Sequence, residues 1–545
     1  MTLPKSAAKA KPASALFERA HELYRSAYLT DAASILDEAL AKGGMLSDES
    51  VILRSRLYLR EKPSEAIAFL TKALPQLGDD ASCGHALTLL GAAYARVGDY
   101  RSSQLKFDLA SRKLTGGAAR VREARTTLAY HRATALWMQR KLDEAEKEIS
   151  IALGDRASDS YVEALAIKGA IYAAREKYES QAGVLLEAVR TITTGQAINV
   201  YHWAHVTAQL AYLCRELPNP SIRNMAFEQV DRVSWTPDLA DIQFTALKAV
   251  GWRRALEGDY FNAFRYLKRA SACAPTTPWQ VMAGCDRAYL AGSLGERRWA
   301  EQELGDAADL AERVEWRAIS GEERIALLLL AELYAPHDGA LAMSYVARYQ
   351  ETGDRFAPLL SFNADRRIQA MVAYSLGCVR QHLGEFSEAE ESYKEAFEIY
   401  DAVGYDWRAG RTAIGLSQVS DAVTWQAIAR QKLRHYPMSW LMSQLAAPVV
   451  RGEPLLSAAP DVATQKRRGT EDLTPAQHEV YELLLKGIST REVAQELGRS
   501  EFTVRNHIKE IFKKLKVNSR AALISSSINS DSLRRRASKV DVAKT

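Results

Sequence analysis

At 545 residues the chain exceeds what one ordinary hydrophobic core organises, so several domains or a repeat array are expected. Hydrophobic residues make up 47% and charged residues 26%, the balance of a soluble globular protein, and no apolar run nears the roughly 18 residues of a membrane span. The net charge of +5 is unevenly held: residues 466–540 carry 16 Lys plus Arg against 9 Asp plus Glu, which leaves −2 for everything else.

Residues 1–13 are basic and alanine-rich, lack the apolar core of a secretory signal, and are expected to be disordered in a cytoplasmic protein. Residues 14–445 read as helix after helix with short breaks and no strand alternation. One pattern recurs. It runs Gly91, Tyr94, Gly98, Tyr100, Phe107, Ala110, and returns as Gly169, Tyr172, Tyr178, Leu185, Ala188. It appears again as Gly251, Gly258, Tyr260, Ala263, Leu267, Ala270, and as Gly377, Gly384, Phe386, Ala389, Tyr393, Ala396. Weaker copies lie at 32–39, 66–73, 145–152 and 295–307. In each, a small residue lets a first helix approach its partner, and a Gly or polar residue breaks the chain. An aromatic or bulky residue then packs back from the second helix. Such hairpins bury their faces only by stacking on neighbours. The spacing resembles tetratricopeptide repeats, though successive copies lie about 36 to 45 residues apart. A TPR-like α-solenoid of about ten hairpins is therefore expected, and its concave face is the expected seat of a protein or peptide partner.

Within that region the five cysteines, Cys83, Cys214, Cys273, Cys285 and Cys378, are scattered and unpaired in sequence, and read as small buried hydrophobes. Trp203, Trp252, Trp279 and Trp299 suit either core or groove, with core favoured. His202 and His205 can share a helix face, but no third ligand is identifiable, so no metal is expected. A short helix near Trp440 is placed to cover the last face of the array. Residues 446–468, with three prolines and the basic Lys466, Arg467 and Arg468, read as a flexible linker.

Residues 469–530 carry the densest start and stop signals. Thr474, Pro475 and Gln477 form an N-cap, a proline at the first helical position and a capping-box partner. Ser489 with Glu492 opens a second helix, closed by Leu497 and Gly498. Ser500 caps a third, from Glu501 to Leu515, and Asn518 or Ser519 caps a fourth. The short turn Gly498, Arg499, Ser500 is that of a helix-turn-helix. Val493, Ala494 and Leu497 share one face, as do Val504, Ile508, Ile511 and Leu515. Arg505, Asn506, Lys509 and Lys513 are then left facing outward, a set whose donors and acceptors suit base edges and phosphates in a major groove.

This stretch resembles the LuxR/FixJ (GerE)-type helix-turn-helix of bacterial transcription regulators, through Leu473, Thr474, Glu479, Val480, Gly487, Val493, Ala494, Leu497, Ser500, Thr503, Val504, His507, Ile511, Lys514, Leu515 and Arg520. Ala476 and Gln477 stand where the family usually has Arg-Glu, and Tyr481 replaces an aliphatic residue, which puts a supporting contact of the first helix in doubt. The resemblance implies double-stranded DNA as partner, with Arg505, Asn506 and Lys509 reading bases and Thr490, Arg491, Ser500, Thr503, Lys513 and Arg520 on phosphates. It also implies pairing through the fourth helix, at Ala521, Ala522, Ile524 and Ser525. Residues 531–545, with Arg534, Arg535 and Arg536, read as a basic disordered tail. No phosphate loop, HExxH, GxSxG or metal-spaced Cys/His cluster is present, so neither catalysis nor a cofactor is expected. The expectation is an all-α DNA-binding transcriptional regulator whose repeat region takes a partner or ligand. The alternative is a TPR adaptor that binds another regulator and touches DNA only weakly.

Overall fold

The computed structural model describes residues 12–41, 47–156, 158, 160–195, 199–319, 322–353, 366–446, 473–485 and 490–515. The expected N-terminal disorder (apart from residues 12 and 13), nearly all of the linker, the fourth helix of the C-terminal module and the basic tail lie outside those residues. Everything regular within them is helical, so the all-α expectation holds.

Antiparallel hairpins follow one another along the array. The first four are α1 (Pro12–Arg25) with α2 (Leu29–Ala41), α3 (Asp48–Glu61) with α4 (Pro63–Ala73), α5 (Asp80–Arg96) with α6 (Tyr100–Lys113), and α7 (Ala119–Met138) with α8 (Leu142–Ala152). Next come α9 (Tyr161–Ala174) with α10 (Tyr178–Thr194), α11 (Val200–Glu216) with α12 (Pro220–Arg232), and α13 (Ala240–Leu256) with α14 (Tyr260–Ala272). The series continues with α15 (Thr277–Ser293) and α16 (Arg297–Ala311), then α17 (Ile325–Tyr334) and α18 (Gly339–Gly353). It ends with α19 (Arg366–Leu383) and α20 (Phe386–Ala402), then α21 (Asp406–Val419) and α22 (Ala422–Lys432). Eleven hairpins are thus present among the described residues, close to the ten expected.

The recurring residues do what their sizes predict. A Cβ added at Gly91 would lie 2.7 Å from the Phe107 ring, and one at Gly377 would lie 2.6 Å from Tyr393, so each small residue is where the second helix presses its bulky side chain. On the second helices Ala32, Ala66 and Ala145 are fully buried. The breaks inside hairpins use left-handed backbone: Gly98, Gly258, Gly295 and Gly384 have φ of 84°, 78°, 79° and 82°. Ala27, Arg140 and Glu176 hold the same position at about 60° without the freedom of glycine. Gly384→Ala, whose new Cβ would meet nothing within 4 Å, is expected to lose only the backbone term of about 1–2 kcal/mol. Gly377, inside α19, carries no left-handed term, and Gly377→Ala is expected to lose more because its Cβ must displace the Tyr393 ring. Denaturant unfolding of the two variants checks the order, and equal losses would mean that the close approach contributes nothing.

The array does not stay one-dimensional. Glu216, at the end of α11 and fully buried, accepts from Arg408 Nε and Nη2 at 2.9 Å each and from Trp407 Nε1 at 2.9 Å, both residues on α21. Arg215 also pairs with Glu216, at 2.6 Å. The Tyr178 and Tyr405 rings lie 5.0 Å apart, and Arg366 reaches Glu176 at 3.0 Å. The first hairpin is likewise tied forward: Thr236 Oγ1 donates to the Ala27 carbonyl at 2.8 Å, and the Thr30 backbone N–H donates to Asp238 at 3.0 Å. A simple solenoid would confine each repeat to its neighbours. Here helices some 190 residues apart in sequence are cross-braced through one carboxylate.

The short helix α23 (Trp440–Ala446) completes this closure. Trp440 and Leu441 are buried, and Trp440 sits 5.7 Å from Trp252 and 6.0 Å from Tyr289, ring to ring. The helix therefore folds back on the middle of the array, as well as covering its last hairpin. The first helices from α7 to α21, with Gln181 of α10 and Trp440 of α23, line a half-open cavity of about 630 Å³. Trp203 is core, donating to Gln229 at 2.9 Å, and Trp299 is half-buried on Phe264. Trp252 and Trp279 both pack and line the cavity. Cys214, Cys285 and Cys378 are buried, while Cys83 and Cys273 are half-buried. Desolvation raises all five thiols above their ordinary range, as inert packing residues require. His202 lies 3.2 Å from Glu163, and His205 packs edge-on to Tyr201 and lines the cavity. No group of side chains suited to a metal ion is found among the described residues, and no described helix is long and apolar enough to cross a membrane.

Candidate nucleic-acid interface

Three helices of the C-terminal module are described: α24 (Pro475–Leu485), α25 (Thr490–Glu496) and α26 (Glu501–Leu515). The capping box at the start of α24 is present in both directions. The Thr474 backbone N–H donates to Gln477 Oε1 at 3.1 Å, and the Gln477 N–H donates to Thr474 Oγ1 at 3.3 Å. Leu473, Val480, Tyr481 and Leu484 turn inward from α24 and its entry, to meet Val493 and Ala494 of α25 and Val504 and Ile511 of α26. Leu497, Ile508, Phe512 and Leu515 close the edge of this small core.

Between α25 and α26 the chain turns through Gly498 at φ 60°, with Leu497 N–H on the Val493 carbonyl at 3.1 Å and Arg499 N–H on that of Ala494 at 2.9 Å. Ser500 then caps α26: its hydroxyl accepts from the Thr503 N–H at 3.1 Å and lies 2.8 Å from the Thr503 hydroxyl. The turn is held from behind by Arg499, whose guanidinium donates to Glu479 at 2.9 Å. That latch was not among the expected contacts. A lone Arg in a turn gives no periodic signal, and its acceptor lies 20 residues away.

Burying Val504 and Ile511 leaves Arg505, Asn506, Lys509 and Lys513 exposed along one side of α26. Arg505 donates to Glu501, one turn back, at 3.2 Å. An exposed pair of this kind contributes only about 0.3–0.5 kcal/mol, so the guanidinium is readily given up to another acceptor. Thr490 is half-buried at the start of α25, and Arg491 follows it, its side chain outside the described residues. Ser500 is exposed and Thr503 half-buried, beside the start of α26. Arg520, and with it the pairing face at Ala521, Ala522, Ile524 and Ser525, lies outside the described residues, as do Gly487 and Ser489.

Residues 471–527 match the family model described as bacterial regulatory proteins, luxR family. Over 52 residues the chain is 46% identical to the spore germination protein GerE of Bacillus subtilis (strain 168), covering 70% of that protein and 10% of this one. The chain belongs to the luxR family of bacterial regulatory proteins. It is also 41% identical over 61 residues to an HTH-type transcriptional regulator in the exeN 3′ region of Aeromonas salmonicida, covering 11% of this chain and 31% of that one, under a third of the relative's length. Among solved structures, the array is similar to the Rap protein complexed with competence and sporulation factor, with a TM-score of 0.39 and 13% identity over 72% of this chain and 98% of that one. Yeast Tom70 gives a TM-score of 0.31 and 12% identity, over 82% of this chain and 98% of that one. At such scores neither likeness bears on function.

The luxR-type module resolves the doubt over its first helix. Gln477 accepts from Lys514 Nζ of α26 at 2.7 Å with the same Oε1 that takes the Thr474 N–H. One neutral amide thus supplies both the cap and a bond between helices, and Tyr481 is buried beside it in the core. Gln477→Ala removes both contacts and is expected to cost the module about 1–2 kcal/mol. Hydrogen exchange in α24 and α26 of the full chain measures this, and unchanged protection would mean that the amide is not holding the helices together.

Proposed function

We propose that the chain is a DNA-binding transcriptional regulator. Its α26 enters the major groove, and its helical array governs that binding through a partner or ligand. The observation that carries this reading is the division of α26 into a buried apolar face and an exposed face bearing Arg505, Asn506, Lys509 and Lys513. Arg505, Asn506 and Lys509 read base edges, where Arg or Lys matches guanine O6 and N7, and Asn matches adenine N6 and N7. Thr490, Arg491, Ser500, Thr503, Lys513 and Arg520 meet phosphates, and the positive excess of residues 466–540 supplies the salt-dependent part of the affinity. Two modules pair on DNA through the small-residue face near Ala521 and Ala522. Residues 14–445 form the input unit, 446–468 the connection and 469–530 the reader, in a cytoplasmic protein without catalytic activity.

The test is enrichment of genomic fragments of equal length by the full-length protein. Retention of a small subset that shares a sequence supports the regulator. Even retention of all fragments, lost at moderate salt, would return the chain to the adaptor reading, with the array as its working half.

A further inference from the structure

The charged groups that line the cavity are largely committed to one another. Lys248 stands 3.2 Å from Asp286, and Asp286 also accepts from Trp252 Nε1 at 2.9 Å. Arg411 lies 2.6 Å from Glu332, with the Ser375 hydroxyl on the same carboxylate at 2.9 Å. Arg215 and Arg408 share Glu216, and Arg60 holds Asp241 at 3.2 Å. The tyrosine faces are taken as well. Arg411 lies 4.7 Å from the Tyr289 ring, and Arg215 and Arg367 lie 4.6 and 5.5 Å from that of Tyr212. Of the remaining charges Arg140 is exposed, while Glu322 and Glu323 precede α17. Burial holds the Glu323 carboxyl above its ordinary range, Glu322 and Asp241 push it the same way, and Arg324 offsets them in part.

Such a wall selects against charge. An ion finds most counter-charges spent, and a quaternary cation finds the tyrosine faces occupied. A wholly apolar ligand would cover the ion pairs and strand the hydrogen-bonding capacity left on them. That capacity is large, because an ammonium has several donors and a carboxylate several acceptor sites. A hydroxyl both donates and accepts, and two on neighbouring carbons are spaced like the two atoms of an ion pair. One can give to Asp286 while the other takes from Lys248.

Two further features point the same way. Gln181, only 6% exposed, lines the cavity with an amide oxygen that has no hydrogen-bond partner, and Arg411 Nε is likewise buried without one. The first calls for a donor and the second for an acceptor, and a polyol supplies both. Trp137 and Trp279 line the cavity half-buried, offering flat apolar surface that suits the C–H face of a sugar ring.

We propose that this cavity binds a small neutral sugar, its vicinal hydroxyls bridging Lys248 and Asp286 and its C–H face against Trp279. The cavity volume lies within the usual range for sites that hold a small ligand. The proposal rests on the array being the input unit and gives that input a chemistry. Its test is read without DNA, so it fails separately from the base-reading face.

A library of neutral mono-, di- and trisaccharides is screened against the full-length protein by saturation-transfer NMR, and the best binder is titrated. It should bind more tightly than about 1 mM. Its uronic-acid and amino-sugar counterparts should bind about tenfold more weakly, since each brings an unmatched charge. Removing one of the vicinal hydroxyls should cost roughly tenfold to a hundredfold, the worth of a hydrogen bond to a charged group. Lys248→Met should bind the intact and the deoxy sugar alike. Gln181→Met, which removes the unpartnered acceptor, should keep the melting temperature and weaken binding about fivefold. That variant keeps the proposal testable should Lys248→Met fail to fold. No sugar bound below about 1 mM, preference for a charged counterpart, equal binding of the deoxy sugar by the parent, or unchanged affinity in Gln181→Met overturns the proposal.

Discussion

Glu216→Gln is expected to destabilise the helical array by about 3–5 kcal/mol, the cost of stranding buried charge after one partner is removed. The glutamine fits the same space but leaves the guanidiniums of Arg215 and Arg408 without their counter-ion, in a site where Glu216 is fully buried. The same carboxylate sets a pH dependence. Desolvation would raise its pKa, but Arg215 and Arg408 outweigh burial and hold it at about 2, below the unfolded value of 4.5. The stabilisation is therefore complete above about pH 4.5 and is lost as pH falls toward 2, to the extent of about 3 kcal/mol. Trp407, which donates to Glu216, reports the event by fluorescence, and hydrogen exchange in α11 and α21 locates it. Acid titration of the variant should lack this step. If the variant unfolds like the parent and keeps protection in both helices, the cross-brace is not what closes the array.

Arg505→Ala is expected to weaken binding to a selected DNA fragment by about 1–3 kcal/mol, or roughly fivefold to 150-fold, and to relax the preference at one base position. Folding should be untouched to within about 0.5 kcal/mol, because the side chain is exposed and bonds only Glu501. Lys513→Ala, two turns further along, should act differently. It should weaken binding evenly across sequences and reduce the salt slope by about one, as loss of a phosphate contact does. The two variants separate reading from holding. If both lower affinity evenly for every fragment, α26 lies on the backbone rather than in the groove.

Much of the module was legible because its signals are local. The Thr474–Gln477 box, the Gly498 turn and the Ser500 cap each join residues three to five apart, and the apolar stripe of α26 follows one helical period. The repeat hairpins were legible for the same reason, since Gly91 meets Phe107 and Gly377 meets Tyr393 at a spacing of 16 residues. What escaped was long-range. Glu216 and Arg408 are 192 residues apart, and a Glu beside an Arg on a helix reads as a solvated surface. The closure of the array, and the cavity it makes, depend on the summed curvature of many hairpins, which no single repeat encodes. The fold-back of α23 onto Trp252 and Tyr289 follows from that curvature, so the sequence marks Trp440 as buried without naming its neighbours. The contact left in doubt at Gln477 was illegible for the same reason, since its partner Lys514 lies on another helix.

Sequence reading by the exposed face of α26, as proposed, can be tested directly. The direct measurement is competition between a selected fragment and a scrambled duplex of equal length and composition, for the full-length protein and for Arg505→Ala, Asn506→Ala and Lys509→Ala combined. The parent should prefer the selected fragment by about a thousandfold or more, and the triple variant should bind both duplexes alike, with residual affinity that falls steeply with salt. A triple variant that keeps the parent's preference would place sequence reading elsewhere in the chain.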